Sequence, residues 1–315
     1  MNPIETYLPN STTPALDLRL LREHAGGNEG MLSQYIARRN TGEPVAQIIG
    51  SKGFWTLDLH VSADVLTPRP DSETILDALL QLRPNKEAAL RILDLGTGSG
   101  CLILAALSEY KNATGDAVDV SEAALLVAMR NAERLELRVE SRESSKNIIA
   151  RSECDVAIQM PVQVEENMPS PLKHQAVGVS ASPAGGRGSK NSRVEFFCGS
   201  WCDALPDEKM YDVILTNPPY IPTHEIDTLD KTVKHFEPHL ALDGGKDGLD
   251  CYRMLAKQIH LRMVNGAIAL IEVGQGQAHE VAAIMKQSGL AVIMIKNDLA
   301  GIARVVVCEK PALIT

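Results

Sequence analysis

The sequence predicts an α/β fold, a doubly wound sheet with helices on both faces, led by a small helical module and a β-hairpin. Three observations predict it. An apolar run, Arg91-Ile92-Leu93-Asp94-Leu95, passes straight into Gly96-Thr97-Gly98-Ser99-Gly100 and then into a helical pattern from Cys101 to Tyr110. A second run, Tyr211 to Thr216, is stopped by Asn217-Pro218-Pro219-Tyr220, because the prolines offer no N–H and hold the residues before them extended. Around these, short strand-like runs alternate with helical patterns, which implies right-handed crossovers and ligands at the C-terminal ends of the strands.

With 315 residues, 44% of them hydrophobic, the chain can bury one sizeable core and a smaller module. The net charge is −9 and no lysine- or arginine-rich block is present, so the footprint expected of a protein that binds bare nucleic acid is missing. The six cysteines are scattered, and Cys198 and Cys202 have no second pair or nearby histidines at zinc spacing. No metal site is expected. Nothing at the N-terminus reads as a signal peptide and no apolar run approaches the length of a membrane span, so a cytoplasmic protein without a membrane partner is expected.

In chain order, residues 1 to about 12 read as a loose start and residues 1–50 as a helical module. Its helices are expected from Ala15 to His24, ending near Gly26-Gly27, and from Glu29 to Arg39, with Met31, Tyr35 and Ile36 near one face. Residues 42–50, with Gly53-Phe54-Trp55 and the alternating Leu57, Leu59 and Val61, read as a β-hairpin. The hairpin and a connecting helix from Glu73 to Leu82, capped by Asp71 or Ser72, fill 51–85. The main domain spans 86–315. Its second strand, Gly115 to Val120, leads into a helix from Ser121 to Leu135. Residues 139–193 break the rhythm with frequent Ser, Pro and Gly and are expected to be a disordered insertion, in which 156–164 has strand character. Strands Val194 to Cys198 and Tyr211 to Thr216 follow, then an irregular lid from Ile221 to Gly248. Helix Leu249 to Val264, strand Ala267 to Val273, helix Gln277 to Ser288 and strands Ala291 to Lys296 and Arg304 to Glu309 complete the domain.

Two sites carry the chemistry. The glycine loop lets the backbone approach a ligand closely and leads to the unpaired N–H groups of a helix N-terminus, while Asp119, at the tip of the next strand, stands where a ribose hydroxyl pair would be held. A dinucleotide site expects G-x-G-x-x-G; the spacing Gly96, Gly98, Gly100 after Asp94 fits S-adenosylmethionine better, which has no pyrophosphate to seat. The stiff turn at Asn217 offers a side-chain amide oxygen, bare carbonyls and an aromatic ring, a combination suited to a planar –NH2 group. Together the two sites suggest methyl transfer to such a group.

Asp94 to Gly100, Asp119, Gly199-Ser200-Trp201, Asn217 to Tyr220, Phe236-Glu237-Pro238, Gly244 to Leu249 and Glu272-Val273-Gly274 resemble the bacterial release factor glutamine methyltransferases, the HemK/PrmC family. So do Arg38-Arg39 with Gly42-Glu43-Pro44, and Thr67-Pro68-Arg69-Pro70. The resemblance covers about residues 15–138 and 194–310. It implies a Rossmann-like class I S-adenosylmethionine methyltransferase sheet, S-adenosylhomocysteine as the product, and peptide chain release factors as the partners, methylated on the glutamine of their Gly-Gly-Gln motif. By the same resemblance Gly96, Thr97, Gly98, Ser99 and Gly100 wrap the methionine end, Asp119 holds the ribose, and Trp201 lies at the adenine. Asn217 touches both cofactor and substrate. Asn217, Pro218 and Tyr220 are the implied catalytic residues, and with Pro219 they form the implied substrate site. The chain departs from the pattern in a shorter N-terminal module, in the insertion, and in Ala303, which stands where a proline is usual.

Two alternatives differ in substrate and a third in class. A sister enzyme that methylates a glutamine of a ribosomal protein would carry Arg-Ser-Pro where this chain has Arg69-Pro70-Asp71. A nucleic-acid adenine amino-methyltransferase also uses Asn-Pro-Pro-Tyr, against which stands the acidic charge. A catalytically silent binding module would bind the cofactor without turnover.

Overall fold

The computed structural model describes Leu8 and residues 11–137, 139–141 and 193–312. Helices α1 (Pro14–Ala25), α2 (Glu29–Asn40) and the five-residue α3 (Val45–Ile49) open the chain. Pro14 presets φ in the first turn of α1, Gly26 closes that helix in the left-handed region, and Asn28 caps α2 by accepting from the Met31 N–H. Leu8, Leu18, Leu21, Ala25, Leu32 and Ile48 make the shared core. Leu8 is therefore packed rather than part of a loose start, and Leu32 takes the inward position expected of Met31, which is exposed. Residues 45–49 form a helical turn instead of extending the hairpin. Ile48 is buried in the core of the module, and Gly50, left-handed, ends the turn.

The hairpin itself is β1 (Ser51–Phe54) and β2 (Leu57–His60). A 3₁₀ turn, Pro70–Ser72, leads to α4 (Glu73–Leu82). Neither expected cap acts as one: Asp71 pairs with Arg304 at 3.2 Å, and the Ser72 oxygen accepts from Asn217.

The sheet comprises β3 (Arg91–Leu95), β4 (Thr114–Asp119), β5 (Val139–Ser141), β6 (Val194–Cys198), β7 (Tyr211–Thr216), β8 (Met263–Glu272), β9 (Ala291–Asn297) and β10 (Ala303–Glu309). Their order is β5-β6-β4-β3-β7-β8-β10-β9. The pairings from β5 across to β8 are parallel, and β10 is antiparallel to both its neighbours. Helices α5 (Cys101–Glu109), α6 (Glu122–Arg134), α7 (Lys231–Phe236), α8 (Asp250–Arg262) and α9 (Ala278–Gln287) complete the chain. Ser121 caps α6 through its side chain, as its position suggests.

The faces of the sheet bury separate cores, one around Ile103, Leu104, Leu107 and Tyr110 under α4 to α6, the other around Tyr252, Leu255, Ile259 and Val281 under α8 and α9. Strand β8 starts at Met263, four residues before the expected Ala267 and inside the expected helix, and Asn265-Gly266 is carried within it by a bulge with Gly266 at φ 74°. The insertion expected over 139–193 begins with the edge strand β5, parallel to β6, and Arg193 at its far end donates to the carbonyls of Leu107, Tyr110 and Ala113. The remainder, 142–192, including the strand expected at 156–164, lies outside the described residues. Among the described residues no helix is long and apolar enough to cross a membrane.

Candidate active site

Strand β3 pairs with β4 on one side and β7 on the other, so the direction of winding reverses between β3 and β7, where a crevice opens at the C-terminal ends of the strands. A cavity of about 610 Å³ lies there. Its floor is the glycine loop. Gly96, Gly98 and Gly100 all have positive φ, a conformation that glycine adopts without strain, and the Trp201 ring packs against Gly96, where a Cβ would just touch it at 3.4 Å. Trp201 itself sits at φ 47°, a conformation that strains a bulky residue by about 1–3 kcal/mol and persists only where packing imposes it.

The loop is tied down from two sides. Asp119 accepts from the N–H of Gly98 at 2.8 Å and of Ser121 at 2.9 Å, so one carboxylate joins the loop to the start of α6. Burial pushes Asp119 upward, and those backbone N–H groups draw it back. Asn131 on α6 donates to the carbonyls of Ser99 and His60, both at 2.9 Å, linking the loop to β2. Asp94 is wholly buried and accepts from the Thr97 hydroxyl at 2.7 Å. Burial raises Asp94 to about 7 against that bond.

Across the crevice, Thr216 donates to the Leu95 carbonyl at 2.8 Å and locks the tip of β7 to β3. Asn217 follows, and its Nδ2 donates to Ser72 Oγ at 3.1 Å. With the nitrogen so engaged, the amide oxygen of Asn217 is the atom left to accept. Of the expected site residues, Gly96, Thr97, Gly98, Ser99, Asp119, Trp201, Asn217 and Pro219 line the cavity. Gly100 lies under the loop as the N-cap of α5, where a Cβ would meet Leu104 at 3.0 Å. Pro218 is buried. Tyr220 is held behind the turn, where its carbonyl accepts from Gln277 at 2.9 Å and would be 2.4 Å from a Cβ on Gly248.

The wall opposite the loop was not foreseen. Val65, Leu66, Pro68 and Arg69 contribute to it, as do Pro238 to Ala241. They are bound together by Arg69 and Glu237 at 2.6 Å, and Gln47 of α3 donates to the Phe236 carbonyl at 2.7 Å. The segment read as an irregular lid thus contains α7 and two 3₁₀ turns, Thr223–Thr228 and His239–Ala241. Ser72, Glu272 and Asn131 are further parts of the site that the sequence does not single out: Ser72 reads as a cap, Glu272 only as one residue of a resembling motif, and the partners of Ser72 and Asn131 are far away in sequence. Among the described residues no group of His, Cys, Asp and Glu could hold a metal.

The family model for the methyltransferase small domain matches residues 71–167. The chain is 36% identical over 281 residues to a release factor glutamine methyltransferase of Rhodospirillum rubrum, covering 89% of this chain and 69% of that protein. It is 33% identical to the protein of the same name from Caulobacter vibrioides, over 95% of this chain and 91% of the other. A solved methyltransferase from Pyrococcus furiosus, 16% identical, shares the fold with a TM-score of 0.50 over 89% of this chain and all of that one.

Proposed function

The chain belongs to the release factor glutamine methyltransferase family, and on that premise we propose that its cavity transfers a methyl group from S-adenosylmethionine to the side-chain amide nitrogen of the Gly-Gly-Gln glutamine of release factors. The orientation of Asn217 carries this reading. Its nitrogen donates to Ser72, which leaves the amide oxygen as the free acceptor of a side chain that lines a cavity shared with the glycine loop and Asp119. Such an oxygen suits an –NH2 group and not a carbonyl.

The residues present fit the cofactor: Gly96 and Gly98, left-handed and without side chains, bring bare backbone to the cavity, and Asp119 lies on its wall with a carboxylate for ribose hydroxyls. When bound, S-adenosylmethionine would supply an electrophilic methyl on sulfur, with S-adenosylhomocysteine as the product. Gly96 to Gly100 would hold its methionine end and Trp201 its adenine. Asn217 Oδ1 and the Pro218 carbonyl accept the two hydrogens of the substrate amide, which raises electron density on a nitrogen whose lone pair is otherwise delocalised and fixes its aim. Tyr220 backs the turn that carries them. Positioning is the main catalytic device, and the proton leaves after transfer.

Residues 1–50 dock the protein substrate, 51–85 connect, and 86–315 form the catalytic domain, acting on release factors in the cytoplasm. The test is incubation with labelled S-adenosylmethionine and a purified release factor, followed by mass spectrometry of the Gly-Gly-Gln peptide. Label on the glutamine is expected; label on nucleic acid or on a ribosomal protein alone would refute the reading.

A further inference from the structure

Ser72 is almost fully buried at the start of α4, yet its side chain makes no cap bond and takes the Asn217 Nδ2 hydrogen instead. Next to this pair lies Glu272, the last residue of β8, 1% exposed. Strand β8 runs beside β7, with Thr216 opposite Ile271, so Glu272 and Asn217 are the adjoining tips of neighbouring parallel strands. The neighbouring Ser72 hydroxyl and Asn217 amide favour the charged form of Glu272, while its Oε2 takes no partner. A buried carboxylate with a free oxygen is an expensive feature to keep without a purpose.

Its chemistry suggests the purpose. A carboxylate only accepts hydrogen bonds, and beside the Ser72 oxygen it leaves the Asn217 carboxamide one favourable orientation, nitrogen inward and oxygen outward. A protonated carboxyl has an O–H to donate and would accept the flipped amide equally well. Building on the function proposed above, we propose that Glu272 and Ser72 are positioning residues that hold the Asn217 carboxamide with its oxygen turned to the cavity. Protonation of Glu272 releases the amide and removes the acceptor from the reaction.

The surroundings of Glu272 keep this ionisation within reach of physiological pH. Burial raises it to about 7, opposed by Ser72, Arg304 and Asn217 and reinforced by Asp71. Tyr220, Tyr252 and Cys101, from the turn after β7, from α8 and from α5, also feel its charge. Turnover should therefore rise with pH through the neutral range.

The test has an arm that needs no substrate. In protein labelled with ¹⁵N-asparagine, the Asn217 side-chain amide signals, assigned by their loss in Asn217→Asp, should move between pH 5.5 and 8.5 in the free wild-type enzyme and stay fixed in Glu272→Gln. In single-turnover methylation, Glu272→Gln should lose the acid limb of the pH profile and run about tenfold slower at pH 8.5, as expected for a misaligned acceptor, with cofactor affinity unchanged. Glu272→Asp should keep the limb, and Ser72→Ala should be slower with the limb intact. Signals of Asn217 that do not respond to pH, or an acid limb that persists in Glu272→Gln, would overturn the proposal. A wild-type enzyme that leaves release factors unmethylated would refute the proposed function while the resonance titration still decides this one.

Discussion

The Asp119 carboxylate is already bonded twice within the protein, to Gly98 and Ser121 N–H, before any ribose reaches it. Its replacement by alanine should therefore weaken cofactor binding and loosen the loop together, by about 1.5–3 kcal/mol for each charged hydrogen bond lost. Calorimetric titration should find the affinity reduced at least tenfold; an unchanged affinity would remove Asp119 from the site. Asn217→Ala separates differently. It should leave cofactor affinity within about threefold and lower turnover by roughly two orders of magnitude, because an acceptor aimed at the reacting amide matters most in the transition state. Single-turnover rates with near-normal activity would contradict that role. Both read from the sequence as site candidates, Asp119 as the tip of the strand after the glycine loop and Asn217 as the residue at which two prolines stop a strand, and both line the cavity. Ser72 does not: an Asp-Ser pair before a helix reads as a cap, and only the fold brings it to a residue 145 positions away.

Elements were legible where one period dominated. The parallel strands read as apolar runs because both faces are covered, whereas Val45–Ile49, also largely apolar, reads as a strand though its partners lie in α1 and α2. That short helix matters to the site. Through Gln47 it grips the Phe236 carbonyl, and Glu237, its side chain 2% exposed, grips Arg69, so the helical module, the linker and the lid meet at the cavity mouth. Burial raises Glu237 even though Arg69 pulls it down. Glu237→Ala leaves the half-exposed Arg69 to solvent and should free the lid without unfolding the domain. The KM for the protein substrate should rise about tenfold with a smaller change in cofactor affinity, and protease should cut within 231–243 faster than it does in the wild type. Identical cleavage and KM would show that the lid does not depend on this pair.

At the scale of the whole molecule, the ligand end of the sheet concentrates carboxyl groups that burial pushes up: Asp94 and Glu272 to about 7, with Asp119 and Glu237 raised as well. The sign follows from proton counts. In the unfolded chain these groups ionise near pH 4, so between about pH 4 and 7 the folded protein holds more protons and stability falls as pH rises. The contribution is fully present below the unfolded values and lost through about 7, on the order of 3 kcal/mol for Glu272 alone. Exposed carboxylates with lowered values, such as Asp247 at about 2 beside Arg253, act oppositely and only in stronger acid. The free enzyme should therefore melt several degrees higher at pH 5.5 than at pH 8, where the ionised Glu272 would best align Asn217. Glu272→Gln should remove part of that difference by raising the melting temperature at pH 8, and Asp94→Asn a further part. Calorimetric scans of the cofactor-free protein at both pH values provide the check. A wild type that melts higher at pH 8, or a Glu272→Gln variant with an unchanged pH difference, would mean that these carboxyls do not set the stability of the folded sheet.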